Sequence, residues 1–301
     1  MTRSEPATFG VAMPFYDHQA DYESLLTFAR RAHELGFDGL WVSDHLVVGP
    51  PPENSRTWYD VPTLLAGLAA HVPGMTLGTD VLIVPYRHPF LAAKMLATLD
   101  VISGGRLIVG VGAGHSQHEF DVLDAPFAGR GEVIDEYLQL WKAVWTDGPA
   151  VFTGKHVRLD EPELGPRPIS KPHPPIWVGG NGPAAIRRAA THGDGWHPLA
   201  LPPEVYAAGA AQLAELADRA GRPTPTLSYS GYFGEITPKP VDTDRRVPLT
   251  GGVQQVLDDI GAYRDLGVTN VVFRLAAPHL TSDQILDQLE LVATDVLPHA
   301  R

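Results

Sequence analysis

The chain has 301 residues, a formal net charge of −12, 44% hydrophobic residues and 19% charged residues. This size and balance fit one large globular domain, and the negative charge excludes nucleic acid or an anionic membrane as the main partner, since either needs a basic face. With no cysteine, disulfides, thiolate metal sites, iron–sulfur clusters and cysteine nucleophiles are excluded as well.

The first ten residues lack the apolar core of a signal peptide, and no stretch is long enough to span a bilayer, so a cytoplasmic protein is expected. Phe9–Met13 reads as a strand and Asp21–Leu35 as a helix that Gly36 is placed to cap. Gly39–Val42 is the next strand, followed by a proline-rich loop through Asp60. Pro62–His71 reads as a helix, Thr76–Val84 as a strand, Pro89–Ile102 as a helix and Leu107–Gly112 as a strand. Arg130–Trp145 is rich in good helix formers, and Val151–Leu159 has the alternation of a small inserted hairpin. Then come strand Ile176–Val178, helix Pro183–Thr191, strand Gly195–His197 and helix Pro203–Ala220. Leu227–Phe233, Gly252–Leu266, Asn270–Phe273 and Ser282–Leu297 complete the series as strand, helix, strand, helix.

These are about eight strand–helix units with no composition break, which predicts one α/β domain over residues 1–301, a closed parallel (β/α)₈ TIM barrel. A doubly wound open sheet is the alternative. The proline-rich stretches Gly49–Pro52, Pro166–Pro175 and Pro238–Pro248 fall between elements and read as loop insertions over the C-terminal face.

Chemistry is expected where strands end. Strand Ile176–Val178 runs into Gly179, Gly180, Asn181 and Gly182, and Pro183 opens a helix. Glycines let a backbone approach a ligand, and the first helical turn offers free N–H groups and a positive dipole end. The junction reads as a phosphate cradle or as a tight turn without a ligand. Asp44 and His45 follow Gly39–Val42. An imidazole there can move a proton near neutral pH, and the neighbouring carboxylate can tune it. His115 and His118 follow Leu107–Gly112. Their spacing suits a helical metal pair, but no third ligand is marked out and no metal is expected. His115 reads instead as facing substrate or donating a proton.

Gly110-Val111-Gly112-Ala113-Gly114 lacks the complete dinucleotide fingerprint. These glycines read as room for a flat ring or its side chain at the barrel mouth. No nucleophile elbow, Walker lysine loop or aromatic–basic interleaving is present. Trp141 and Trp145, at helical spacing, read as core.

Several segments together resemble the luciferase-like monooxygenase superfamily. They are Phe37 through Leu46, Leu77 through Pro89, Ala97 through Leu107, Gly110 through Gly114, and the stretch through Gly193-Asp194-Gly195-Trp196. They occur in family order from about residue 9 to 200. The resemblance implies a TIM barrel holding a flavin or deazaflavin at the C-terminal strand ends. Ser43-Asp44-His45 is most similar to the branch that uses the deazaflavin coenzyme F420, where the aspartate and histidine lie beside the ring and the histidine moves a proton. Asp80-Val81, after Thr79, falls where the family has a non-prolyl cis peptide pressed against the ring.

The resemblance thus implies cofactor contacts at Ser43, Asp44, Thr79, Asp80 and Val81, and at Gly112, Ala113 and Gly114. It implies phosphate contacts at Gly179, Gly180, Asn181 and Gly182 and at Asp194, Gly195 and Trp196. The catalytic candidates are His45, with Asp44 positioning it or the ring, and His115. After Gly114 many relatives have an aromatic residue and the sugar-phosphate dehydrogenases a glutamate; here it is His115. With no evident lysine and arginine cluster for a phosphorylated sugar, glucose 6-phosphate is disfavoured as substrate. The expected activity is hydride transfer between coenzyme F420 and a small organic substrate. The alternatives are an FMN-dependent monooxygenase supplied by a separate reductase, and a non-catalytic flavin-binding protein. A homodimer is expected.

Overall fold

The computed structural model describes residues 7–14, 21–46, 58–148, 150–161, 165–242 and 246–301. The loop Gly49–Pro52 lies outside the described residues, as do residues 243–245 of the Pro238–Pro248 segment.

Eight parallel strands close on themselves. They are β1 (Thr8–Ala12), β2 (Gly39–Val42), β3 (Thr76–Thr79), β4 (Leu107–Gly112), β5 (Ile176–Gly179), β6 (Gly195–His197), β7 (Thr226–Ser230) and β8 (Asn270–Phe273). Each pairs with the next in chain order, and β8 returns to β1 with Thr8 opposite Asn270. The sheet is therefore a closed (β/α)₈ barrel, not an open one.

The helices that cover it form for local reasons. In α1 (Tyr22–Glu34) Asp21 accepts from the Ser24 N–H, and Gly36 leaves the helix at φ +82°. In α2 (Val61–Ala69) Asp60 caps through Thr63 N–H. In α3 (Pro89–Ser103) proline stands in the first turn and Gly104, at φ +69°, ends the helix. The short α4 (Gln117–Val122), which the apolar pattern does not announce, and the long α5 (Arg130–Trp145) follow β4. The last major helices are α6 (Pro183–His192), α7 (Pro203–Arg219), α8 (Val253–Asp265) and α9 (Ser282–Leu291). Trp141 and Trp145 are buried, and their indoles donate to the carbonyls of Pro89 and Ala93, tying α5 to α3. The predicted hairpin is present as Ala150–Thr153 paired antiparallel with Arg158–Glu161.

Inside the barrel, Trp41 stacks on Trp177 at 5.4 Å and on His197 at 4.9 Å. Gly10 and Gly78 make room for this indole, since a Cβ at either would overlap it. The interior is thus a packed plug.

Candidate active site

Strand β3 does not run through to Val84 as its apolar sequence predicts. It stops at Thr79 and resumes as Leu82–Ile83, still against β4. Gly78 faces Ile108 and Leu82 faces Val111, so three residues oppose two. The extra residue makes a bulge at Thr79-Asp80-Val81, and the Asp80–Val81 peptide is cis. The buried Thr79 hydroxyl donates to the Gly110 carbonyl at 2.6 Å. A Cβ on Gly110 would overlap the Thr79 carbonyl, and one on Gly112 or Gly179 would stand 2.7 Å from a Val81 methyl. Gly110, Gly112 and Gly179 are therefore small because the chain's own bulge packs on them, a reason independent of any ligand. Gly114, at φ +80°, turns a corner whose missing side chain Phe120 and Ile83 would crowd. Ala113 beside it is half-buried against the main core.

Asp80 is buried beneath the bulge in a charged cluster. Arg274, just past β8, reaches its Oδ2 at 2.5 Å, the Ser230 hydroxyl donates to the same oxygen at 2.9 Å, and His197 Nε2 lies 3.2 Å from Oδ1. Burial alone would raise the Asp80 pKa, but the charges of Arg274 and His197 and the hydrogen bonds outweigh it, and the carboxyl titrates well below its ordinary range. Arg274 also donates to the Ser43 hydroxyl at 3.3 Å.

Asp44 and His45 diverge although adjacent. Asp44 accepts two bonds from Arg87, at 2.6 and 2.9 Å, and one from the Ile83 N–H at 2.8 Å, with its side chain 1% exposed. It fastens the chain after the bulge, its side-chain hydrogen bonds going to Arg87 and Ile83 while the His45 ring bonds Glu119, which corrects the expectation that it positions that histidine. The carboxylate on His45 is Glu119 from α4. His45 Nδ1 lies 3.0 Å from Oε2, the Leu46 N–H donates to Oε1 at 2.6 Å, and the Tyr86 hydroxyl donates to Oε2 at 2.9 Å. Burial pushes the Glu119 pKa up, but these donors and the adjacent imidazole hold it below its ordinary 4.5. Burial and the Glu119 charge raise the Tyr86 phenol, so it stays protonated. A carboxylate at Nδ1 selects the Nδ1–H tautomer and leaves Nε2 as the acceptor. His115 is exposed and meets the His45 ring edge-on at 5.7 Å, and the Trp58 ring lies 4.7 Å from that ring at an interplanar angle of 54°. Among the described residues no group of three or more side chains could hold a metal.

Gly180, Asn181 and Gly182 are exposed at the start of α6. Gly180 has φ +114°, and Trp196 braces it from behind, donating its indole N–H to the Gly180 carbonyl at 3.0 Å. Asn181 is tied to Leu199 by two side-chain bonds, at 2.7 and 3.0 Å. Gly182 is the N-cap with φ −92°, and a Cβ there would have no atom within 4 Å. Asp194 and Gly195 do not join this turn. Asp194 accepts from the Ile176 N–H at the opposite, N-terminal end of β5, and Gly195 is small because Trp177 packs on it. Their expected phosphate contact is corrected by that placement, and Trp196 supports the turn without reaching its open side.

Glu119, Ser230 and Arg274 are members of the site that no motif announces, while Tyr86 and Arg87 lie within the family-like stretch Leu77 through Pro89, and His197 at the end of a predicted strand, with no role assigned to them. The Ser116-x-x-Glu119 spacing is the nearest signal, and it suggests a capping box. Ser116 does accept from the Glu119 N–H at 3.4 Å, but the glutamate side chain turns to His45.

Residues 7–237 match the family model for luciferase-like monooxygenases. The F420-dependent hydroxymycolic acid dehydrogenase of Mycobacterium tuberculosis is 27% identical over 99% of this chain and 90% of its own. Among solved structures, the coenzyme F420-dependent tetrahydromethanopterin reductase of Methanopyrus kandleri superposes with a TM-score of 0.81 at 21% identity, covering 98% of this chain and all of that one. The FMN-bound oxygenating constituent of 3,6-diketocamphane monooxygenase from Pseudomonas putida does so at 0.79 and 18% identity, covering 97% and 98%. With its closed barrel, its bulge after the third strand and a family match over most of its length, the chain belongs to the luciferase-like monooxygenase family.

Proposed function

We propose that the protein is an oxidoreductase that moves a hydride between coenzyme F420 and a small organic substrate. The observation that carries this reading is His45, fixed through Nδ1 by an ionised Glu119 beside the Asp80–Val81 bulge. The similarity to an F420-dependent dehydrogenase over nearly the whole chain supports it.

The residues fit such a cofactor. The bulge is held through Asp80 by the Arg274 guanidinium and the Ser230 hydroxyl. The open side of Gly182 at the head of α6 suits a phosphate. When bound, a deazaflavin supplies the ring carbon that takes or gives the hydride. The Val81 bulge supports the ring, and the turn from Gly180 to Ala184 holds the phosphate. Nε2 of His45 takes the proton from an alcohol, or returns it to a carbonyl oxygen. Glu119 stabilises the imidazolium and keeps the ring orientation through the cycle. His115, placed edge-on to His45, is the alternative proton carrier.

Equilibrium titration of the purified protein with F420 and with FMN tests the reading. Preferential F420 binding, followed by F420 reduction or oxidation with a panel of small alcohols and ketones, is the expected result. Tight FMN binding with no detectable F420 binding overturns it in favour of a monooxygenase served by a separate reductase. Binding without turnover of any substrate favours a non-catalytic flavin-binding protein.

A further inference from the structure

We propose that Arg274 is the positioning residue that locks the ring-bearing bulge to the segment carrying His45, so that ring affinity depends on it although it lies outside every recognisable motif. The inference rests on the reading of the bulge as the ring's support.

Arg274 is 8% exposed. Its Nη2 bonds both the Asp80 carboxylate, at 2.5 Å, and the Asp80 main-chain oxygen, at 3.2 Å. Its Nη1 reaches the Ser43 hydroxyl at 3.3 Å, and its Nε the Ser230 hydroxyl at 3.1 Å. One guanidinium thus joins the ends of β2, β3, β7 and β8. Ser43 is two residues from His45, and Asp80 precedes Val81, so the same cation holds both the proton carrier's segment and the bulge.

The fork of fixed N–H donors is what makes this possible. A lysine could neutralise Asp80, but as a point charge it could not also span Ser43 and Ser230 in fixed directions. The Asp80 carboxylate in turn consumes the charge of Arg274. The pair therefore acts as an internal strut, leaving little reason for it to serve as a substrate's anion site.

The test uses Arg274→Met and Arg274→Lys in the full chain, with three readouts. These are thermal melting, F420 and FMN dissociation constants measured well below the melting temperature, and amide hydrogen exchange of the segment containing Leu82 and Ile83 without cofactor. Arg274→Met is expected to weaken ring binding about tenfold or more, the scale of a lost charged hydrogen bond, and to speed exchange of that segment relative to the rest of the barrel. Arg274→Lys is expected to recover most of the melting temperature and only part of the affinity. If the methionine variant does not fold, the lysine variant decides. A folded variant with a lowered melting temperature but wild-type ring affinity and wild-type relative exchange overturns the proposal, leaving Arg274 a general stabiliser. If the wild type binds neither cofactor, the function proposed above fails, while the exchange readout still decides whether Arg274 fixes the bulge.

Discussion

His45 and Glu119 lie 74 positions apart in sequence, yet the imidazole Nδ1 sits 3.0 Å from the carboxylate, whose other oxygen accepts the main-chain N–H just after that histidine. The carboxylate therefore fixes ring and backbone together. His45→Ala should lower the rate of hydride transfer at saturating cofactor by about 10²–10⁴, the usual worth of one positioned acid–base group. Glu119→Gln should cost less, since the amide oxygen can still accept from Nδ1 but brings no charge to the imidazolium. Single-turnover kinetics of both variants check this. A His45→Ala protein with near wild-type hydride transfer but weak cofactor binding would give His45 a binding role and pass the proton to His115, whose alanine variant should then carry the larger loss.

Asp44 separates stability from chemistry. Its carboxylate is the buried half of an ion pair with Arg87, which a second carboxylate, Asp60, also contacts at 2.9 Å. Removing Asp44 leaves Arg87 with Asp60 as its remaining carboxylate and strips the Ile83 N–H of its acceptor, at a cost near the lower end of the about 3–5 kcal/mol of a broken buried pair. Asp44→Ala should unfold at markedly lower denaturant, read by equilibrium urea titration. Asp44→Ala with wild-type stability and lost turnover would instead return it to the catalytic group.

Gly110 tests the bulge. A Cβ there would overlap a carbonyl oxygen of the bulge itself, and main chain yields less readily than a flexible side-chain tip. Gly110→Ala should destabilise the fold by about 1–3 kcal/mol, the scale of core overpacking. Gly261→Ala, where a Cβ meets nothing within 4 Å on the surface of α8, is the control and should be neutral or slightly stabilising. Equal midpoints for the two variants would mean that the strand interruption does not depend on that glycine.

The alternation of apolar strands and amphipathic helices was enough to count eight units, because a closed parallel barrel repeats one local pattern. The glycine run of β4 was also visible, but its meaning was not. Gly110 and Gly112 accommodate Thr79 and Val81, contacts set by strand register and by the bulge. The resemblance located Asp80–Val81, whereas its partner Arg274 comes from the last third of the chain, where only the strand–helix rhythm was readable. Glu119 was hidden for a different reason. Its spacing from Ser116 has a complete local explanation as a cap, so nothing pointed to a partner on another loop. Asp44 adjoins His45 in sequence, yet its carboxylate bonds Arg87 and Ile83 while the imidazole bonds Glu119.

Acid should weaken the fold through two of its buried carboxylates, Asp80 and Glu119. Asp80 and Glu119 both titrate below their ordinary 3.8 and 4.5 when folded. Their contributions are therefore fully present above those ordinary values, and are lost as pH falls below them toward the folded-state values. Wild-type unfolding free energy should decline from about pH 5 downward, and Asp80→Asn and Glu119→Gln should each show a shallower decline, starting from lower stability at neutral pH. Denaturant unfolding across that range measures both. Parallel pH curves for wild type and variants would show that neither group drives the loss.

The last prediction concerns the phosphate. Gly180→Val is a poor probe, because φ +114° is strained for any side chain and a Cβ would also stand 3.0 Å from that of Ala185. Gly182 is the better position. Its φ of −92° suits any residue and its Cβ direction is open. It is also the N-cap of α6, where Pro183 has no N–H and Ala185 donates to the Gly182 carbonyl at 2.9 Å, so the Gly182 and Ala184 N–H groups would take a phosphate. An aspartate there would accept from the Ala184 N–H and complement the helix dipole, so Gly182→Asp should leave the melting temperature unchanged or slightly raised. The same carboxylate would occupy and repel the anion, and binding of F420 should weaken by about tenfold or more. Gly182→Ala, adding bulk without charge, should bind nearly as the wild type does. Stability rising while affinity falls is a pattern that damage to the fold cannot produce. If Gly182→Asp instead keeps full affinity for F420, the phosphate is held elsewhere and the turn after β5 is only a turn.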